Sequence, residues 1–308
     1  MLLLAASAVS TWWSDQQGPV IQTRRNFLIG AGALAGCTCT GPRHGPAQIE
    51  KEFGGRIGFS ALDTASGRRI RWRADERFAL CSTFKAALAG AVLARRDAGE
   101  IRADDMLTFD AGKLLSTSRA TALHPDGRIS VIEACEGVVT VSDNTAANAL
   151  LRLIGGPAAM TQFFRSLGDP TTRLDRYELE LNSNIEGDPR DTTTPDAMLG
   201  NLQALLLGDA LSEASRSLLL GWMLNEQNGK ARLSAGLRTA EEGGNWSVAN
   251  KPGTSANGAV NDIGVAWPPS GRPILLIAYT NAPGTDTAAG EAAIARIAAH
   301  TVRKFGFA

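Results

Sequence analysis

The chain has 308 residues, of which 44% are hydrophobic and 20% are charged, the composition of an ordinary globular protein with ample material for a core. Its 31 basic and 31 acidic residues cancel, which argues against nucleic acid as a partner. The three histidines, His44, His124 and His300, are too dispersed to suggest a zinc site or a histidine-based catalytic triad.

The first 46 residues are predicted to be an export signal followed by a tether. Arg24 and Arg25 precede a short apolar run at residues 27–35, the pattern of a twin-arginine export signal. A membrane-spanning helix needs about 20 apolar residues, so this shorter run is interpreted as the apolar region of a signal. Residues 38–46 are small and rich in proline and glycine, which indicates a flexible tether.

The apolar run ends in Leu-Ala-Gly-Cys at residues 34–37, which resembles a bacterial lipobox and predicts that Cys37 is lipidated. The alternative is an ordinary cleavage site beside an incidental cysteine. We therefore expect a periplasmic protein, anchored to a membrane if Cys37 carries lipid. Residues 1–19 contain no positive charge, and one hypothesis is that translation starts downstream, at Val20.

The remaining residues, 47–308, are predicted to form the folded body. Its beginning fits the end of a first helix at 48–53. A hairpin follows, because 55–63 and 69–73 favour strands and a turn of small residues separates them.

The middle of the body is predicted to be helical. From Ser82 the apolar periodicity becomes that of a helix, and the chain stays rich in alanine and leucine to about Leu224. One polar loop interrupts this stretch, at about 173–191. Beyond Trp246 the pattern predicts three strands and a last helix, at 247–251, 261–267, 274–280 and about 287–305.

Strands at both ends with helices between them predict an α+β fold. The two ends would build one sheet, and the helical middle would form an inserted all-α part with a cleft between the two. The sheet part is placed at about 47–76 and 225–308, and the helical part at about 77–224.

A Ser-x-x-Lys motif, Ser82 to Lys85, stands at the start of the first long helix. Residues three apart share one face of a helix, so Lys85 can reach the Ser82 hydroxyl, and a serine nucleophile needs such an adjacent base. The positive end of the helix favours a developing oxyanion. Taken alone, the motif fits better with a helix cap and a solvated lysine.

Two further motifs could serve the same chemistry. In Ser142-Asp143-Asn144, the serine could pass a proton to a leaving nitrogen and the asparagine could bind a substrate carbonyl, although the tripeptide also fits an ordinary helix cap. Glu178, four residues before Asn182, could hold with it a water that attacks an acyl-enzyme. The alternative for Glu178 is a solvated acidic loop.

The last motif is Lys251-Pro252-Gly253-Thr254, which follows a predicted strand. Lys251 would bring positive charge to the cleft, and Gly253 would leave room for close approach. The backbone N–H of Thr254 could form an oxyanion hole together with that of the serine nucleophile.

These four motifs occur in the order and rough spacing of class A serine β-lactamases, and the similarity extends over about residues 48–308. The resemblance implies the fold of that family, with a five-stranded antiparallel sheet flanked by helices and an inserted all-α domain. It implies hydrolysis of the β-lactam amide bond of penicillins and cephalosporins through an acyl-enzyme on Ser82, which confers resistance. We expect these small molecules as partners, no cofactor or metal, and a monomer.

The resemblance also implies a role for each matching residue. Ser82 is the nucleophile and Lys85 its paired lysine, Ser142 carries a proton, Glu178 is the base of deacylation, and Asn182 helps Glu178 to hold the water. The substrate-binding residues are Asn144, Lys251, Gly253, Thr254 and Arg232, the last a residue that some relatives use to bind the substrate carboxylate. Arg176 and Asp191 match an ion pair that closes an Ω-shaped loop around Glu178.

The chain departs from the family pattern in the cleft and in its cysteines. Pro252 replaces the usual threonine or serine, which removes a hydroxyl that would contact the substrate carboxylate and predicts weaker substrate binding. Cys81 and Cys135 lack the partners found in some relatives, so two free thiols are expected. An aromatic residue that often lines the cleft is not evident at 115–117.

Two other functions fit parts of the pattern. A penicillin-binding D,D-peptidase shares the Ser-x-x-Lys chemistry but deacylates slowly, and it lacks counterparts of Glu178 and Asn182. A non-hydrolysing β-lactam sensor would stay acylated, and Pro252 leaves some room for that interpretation.

Overall fold

The structure is a computed structural model, and it describes residues 45–240, 245–269 and 271–307. Their strands are β1 (Arg56–Asp63), β2 (Arg69–Trp72), β3 (Phe78–Ala79), β4 (Met106–Thr108), β5 (Arg128–Ser130), β6 (Thr192–Thr193), β7 (Ser247–Thr254), β8 (Ala259–Trp267) and β9 (Ile274–Asn281). Their helices are α1 (Pro46–Phe53), α2 (Phe84–Asp97), α3 (Val131–Thr140), α4 (Asn144–Ile154), α5 (Gly156–Ser166), α6 (Pro195–Leu206), α7 (Glu213–Leu224), α8 (Leu233–Ala240) and α9 (Thr287–Phe305).

A five-stranded antiparallel sheet, counted over the described ranges, organises the fold. Its strand order is β2-β1-β9-β8-β7, so strands from both ends of the body lie side by side. The hairpin predicted from the sequence is present, with Phe59 opposite Trp72. The α+β class and the central sheet are therefore confirmed.

The sheet separates two hydrophobic cores. On β9, the alternate residues Leu275, Ile277 and Tyr279 face the core formed with α2, α3, α4, α6 and α7. Their neighbours Leu276 and Ala278 face the other core, formed with α1, α8 and α9. Strands that are buried on both faces in this way are rigid supports for whatever their ends carry.

Helix α2 runs through the larger core. Every residue from Phe84 to Leu93 is buried, including the small residues that let neighbouring helices approach. At Gly90 an added Cβ would lie 2.9 Å from the Leu205 side chain of α6. Helix α2, which carries Lys85, is thus fixed in the core by its neighbours.

Four short strands were not predicted. β3 pairs with β6, and β4 pairs with β5, within the part expected to be helical. Strands of two or three residues show no apolar alternation, so a periodicity argument cannot detect them. The boundaries proposed for the sheet part and the helical part remain predictions.

The predicted signal and tether, including Cys37, lie outside the described residues except for Gly45 and Pro46. Within the described ranges, no helix combines the length and the hydropathy that crossing a membrane requires.

Candidate active site

Ser82 lies in a short 3-10 turn, Cys81–Thr83, that leads directly into α2. The turn is fixed by Thr83, whose Oγ1 donates to Leu80 O at 2.6 Å and lies 3.0 Å from the Tyr279 hydroxyl of β9. The serine predicted to open the helix therefore precedes its first residue, on a turn anchored to the sheet.

Lys85 is fully buried and contacts three of the predicted site residues. Its Nζ donates to Ser142 O at 2.9 Å and to Asn144 Oδ1, and it lies 2.9 Å from Glu178 Oε1. Ser142 Oγ is 3.4 Å away. An ammonium has three donors, and four oxygen atoms lie within 3.4 Å of this one. Among the described residues, Lys85 makes no hydrogen bond to Ser82 Oγ, the contact that the helical spacing suggested.

The Ser-Asp-Asn motif joins α3 to α4. Ser142 has a φ of +61°, a left-handed conformation that turns the chain toward Lys85. Asp143 is buried, accepts from the backbone of Ala120 and Thr121 at 2.9 Å and caps α4 through Ala146 N at 2.8 Å. Asp143, the middle residue of the motif, thus joins the segment at 120–121 to the start of α4.

Asn144 is held at both ends of its amide. Its Nδ2 donates to Ser116 O at 2.6 Å, while its Oδ1 accepts from Lys85. Its backbone N–H donates to Thr117 O at 2.8 Å. The amide is therefore oriented before any substrate arrives.

Glu178 lies in the polar loop predicted at 173–191. Its Oε2 accepts from Asn182 Nδ2 at 2.6 Å, and its side chain is buried. The peptide bond between Glu178 and Leu179 is cis. Lys85, Glu178 and Asn182, which are far apart in the chain, thus form one connected group.

Asn148 holds the backbone of Glu178 from both sides. Its Oδ1 accepts from Glu178 N, and its Nδ2 donates to Glu178 O, both at 2.9 Å. Sequence reasoning assigned no role to Asn148. The sequence feature that could have identified Asn148 is its place one helical turn after Asn144, which puts both side chains on the same face of α4.

The base of this loop is closed by Arg176 and Asp191. Arg176 Nε lies 2.6 Å from Asp191 Oδ2, and Asp191 is fully buried. Asp191 Oδ1 also accepts from the backbone N–H groups of Asp175 and Arg176, at 2.7 and 3.0 Å. One carboxylate therefore ties together both ends of the loop.

The Lys-Pro-Gly-Thr motif lies within β7, which extends three residues beyond the predicted strand end at 251. Proline and glycine made the sequence pattern end early, but β7 is an edge strand, where proline is tolerated. At Gly253 an added Cβ would lie 3.0 Å from Ser82 N and 3.1 Å from Leu80 O. The strand thus passes directly over the nucleophile turn, and any larger residue at this position would crowd the turn.

Lys251 is fully buried beneath this strand, and its Nζ donates to Pro252 O at 3.2 Å. Burial lowers the pKa of Lys251 to about 7. Asp262, opposite Pro252 on β8, is also buried, and burial raises its pKa to about 7.

Arg232 is only 4% exposed, and most of its donors are used within the protein. Nη1 donates to Gly253 O at 3.0 Å and to Asn261 O at 2.8 Å, and Nε donates to Glu291 at 3.2 Å. Nη2 donates to Thr254 Oγ1 at 2.7 Å. One Nη2 proton remains, so Arg232 acts on the cleft mainly by orienting Thr254.

These residues surround a cleft of about 510 Å³, within the range of small-molecule sites. Ser82, Ser142, Asn144, Asn182, Arg232 and Thr254 line it. Leu179 and Pro252 supply apolar surface, and none of the described lining residues is aromatic. Both body cysteines are free and buried, as expected, and burial raises the pKa of Cys81 to about 12.

Comparisons with known proteins identify the class of this site. A family model described as "Beta-lactamase enzyme family" matches residues 47–305. Beta-lactamase L2 of Stenotrophomonas maltophilia is 46% identical over 237 residues, 77% of each chain. The carbapenem-hydrolyzing beta-lactamase KPC of Klebsiella oxytoca is 43% identical over 253 residues, 82% of this chain and 85% of that protein.

Solved structures agree. An ancestral class A β-lactamase has a TM-score of 0.80 and 50% identity, covering 84% of this chain and 98% of that one. A putative class A enzyme, PenP of Rhodopseudomonas palustris, has a TM-score of 0.80 and 45% identity, over 84% and 97% of the two chains. The chain belongs to the class A β-lactamases. It is a β-lactam hydrolase of the kind that confers antibiotic resistance.

Proposed function

We propose that hydrolysis of penicillins and cephalosporins proceeds through an ester on Ser82. Ser82 Oγ attacks the lactam carbonyl, and the backbone N–H groups of Ser82 and Thr254 stabilise the oxyanion that forms. The close passage of Gly253 over Ser82 N supports this role, because it brings the end of β7 against the start of α2.

The protons of acylation move through the buried group around Lys85. The Ser82 proton leaves to the Glu178 carboxylate, or to Lys85 after Lys85 has passed a proton of its own to Glu178 Oε1, 2.9 Å away. As the lactam C–N bond breaks, Ser142 Oγ delivers a proton to the nitrogen and is resupplied by Lys85, 3.4 Å away. Asn144 orients the substrate through its acylamino carbonyl.

The substrate carboxylate binds at the β7 side of the cleft. Lys251 supplies positive charge there, and Thr254 supplies a hydroxyl that Arg232 orients from 2.7 Å. One Nη2 proton of Arg232 is not used by the described residues, so Arg232 can also donate it to the substrate carboxylate.

Deacylation depends on Glu178 and Asn182. Their 2.6 Å contact is the observation on which the hydrolytic assignment rests, because it holds a carboxylate and an amide together beside Lys85. Asn182 Oδ1 is buried and has no hydrogen-bond donor among the described residues, so a water between the two side chains would satisfy it. Glu178 takes a proton from this water as its oxygen attacks the ester.

Hydrolysis of a chromogenic cephalosporin tests the mechanism. The purified protein should turn over continuously, whereas Glu178→Ala should release one equivalent of product and stop with substrate attached to Ser82. A parent protein that also stopped after one equivalent would instead favour the penicillin-binding D,D-peptidase or the β-lactam sensor.

We also propose export through the twin-arginine signal, a periplasmic location with lipid on Cys37, and a monomeric state. The order of paired arginines, apolar run and lipobox-like residues supports export and lipidation. The mass of the mature N-terminus tests the lipid: a mature chain that does not begin at a lipidated Cys37 would contradict it.

A further inference from the structure

Three asparagines join the loop that carries Asn182 to the central sheet. Asn257 lies in the turn between β7 and β8, and its Nδ2 donates to Ser183 O at 2.6 Å. Asn184 Nδ2 donates to Asn257 O at 2.7 Å and to Asn281 Oδ1 at 2.9 Å. Asn281 ends β9 and is paired with strands on both sides. We call Asn184, Asn257 and Asn281 the asparagine clasp.

Ser255 extends the clasp to Asn182. Ser255 Oγ donates to Asn182 O at 2.6 Å and accepts from Asn257 N at 3.0 Å. Hydrogen bonds therefore run from the fixed end of β9 to two successive backbone carbonyls, those of Asn182 and Ser183. Beyond it the loop reaches solvent, with Ile185 57% exposed.

We propose that Asn257 and Asn184 are positioning residues for deacylation, an inference that rests on the proposed roles of Glu178 and Asn182. The clasp fixes the backbone of Asn182 and Ser183, and this in turn fixes the amide that lies 2.6 Å from Glu178 Oε2. A catalytic group must be held within about 0.5 Å of its working position. Asn257 and Asn184 lie outside the described lining of the cleft, whereas Asn182 and Ser183 are part of it. The two asparagines therefore act on the site through the backbone of the loop.

The clasp and the tie at the base of the loop use different groups. Arg176 and Asp191 close the two ends of the loop, and Arg176 also donates to the Ser183 hydroxyl at 2.9 Å, whereas the clasp binds the Ser183 backbone carbonyl. Asn184 has a φ of +44°, which asparagine tolerates better than most residues. Replacing it by glycine keeps this backbone conformation available and removes the side chain with its amide.

A positioning role has a distinct kinetic signature. In a two-step acyl-enzyme reaction, kcat/KM contains only binding and acylation, while deacylation enters both kcat and KM. Slower deacylation therefore lowers kcat and KM by the same factor and leaves kcat/KM unchanged. A loss of folded protein lowers kcat at constant KM, and a loss of substrate binding raises KM.

The test compares Asn257→Ala and Asn184→Gly with Asn225→Ala. Asn225 makes a similar side-chain bond, to Gly221 O at 2.9 Å, but lies outside the described lining of the cleft. For a cephalosporin whose deacylation limits turnover, Asn257→Ala removes one side-chain hydrogen bond and should lose about fivefold in both kcat and KM. Asn184→Gly removes two and should lose at least as much in both. Quenched mass spectra should show more acylated Ser82, and Asn225→Ala should match the parent.

A second measurement removes the effect of misfolded protein. The decay of isolated acyl-enzyme is counted per acylated molecule, so unfolded chains do not contribute. Unchanged decay in both clasp variants, or a fall in kcat at constant KM, would overturn the inference. A parent protein that does not deacylate would overturn the proposed function itself, and the role of the clasp with it.

Discussion

Pro252 stands where class A enzymes usually place a hydroxyl, and the structure shows what the exchange leaves in place. The residue lies in edge strand β7, so the missing backbone N–H does not interrupt the sheet. This side of the cleft keeps Thr254 Oγ1, the remaining Arg232 proton and the charge of Lys251 for a substrate carboxylate.

Pro252→Thr is therefore expected to lower KM for penicillins about tenfold, because a hydrogen bond to a charged group contributes about 1.5–3 kcal/mol. Steady-state kinetics on a penicillin measure the change. Pro252→Val is the matched control, since it removes the ring without adding a hydroxyl and should leave KM near that of the parent. Equal KM values for the threonine variant and the parent would contradict the assignment.

Lys251 should make substrate binding depend on pH. Burial lowers the pKa of Lys251 to about 7, so its positive charge is present below that pH and is lost as the pH rises through it. We expect kcat/KM for carboxylate-bearing substrates to fall above about pH 7. A substrate whose carboxylate is esterified should not show this fall.

Lys251→Arg provides the control for the pH profile. A guanidinium stays charged over the whole accessible range, so this variant should lose the fall above neutral pH even if its overall activity is lower. A parent profile that stays flat to about pH 9 would show that another group supplies the charge.

At the scale of elements, the site depends on close approach between backbones. Strand β7 passes over the Ser82 turn at Gly253, where a Cβ would lie 3.0 Å from Ser82 N. On the other side of the sheet, α8 packs on α9 at Gly236, where a Cβ would lie 1.9 Å from Ala295 O. The end of β7 therefore has two close neighbours. The Ser82 turn packs against Gly253 on one side, and Arg232, which precedes α8, donates to Gly253 O on the other.

Helix α4 serves the site with one face. Asp143 caps the helix and binds the backbone at 120–121. Asn144 contacts Lys85, and Asn148, one turn further on, binds the backbone of Glu178. Sequence reasoning reached Asn144 through its motif. It could not reach Asn148, because the partner of that residue is the backbone of a loop 30 residues away in the chain.

At the scale of the whole molecule, the elements with a clear apolar period were predictable. The long helices α2 and α9 and the strands of the sheet followed from spacing, and the four motifs were found without the structure. What could not be predicted depends on contacts between distant segments. Examples are the donors of Arg232, most of which serve backbone carbonyls and Glu291, and the clasp that Asn257 forms with the loop.

Ser82, Glu178 and Lys251 come from three separate segments, which are the turn before α2, a loop and β7. These segments are far apart in the chain, and only the tertiary fold brings them together, with Lys251 in the sheet that strands from both ends of the body build. Survival of a bacterial host on a β-lactam therefore reports the amount of chain that has completed its fold. Growth at graded antibiotic doses could rank thousands of variants for folding without purifying any of them.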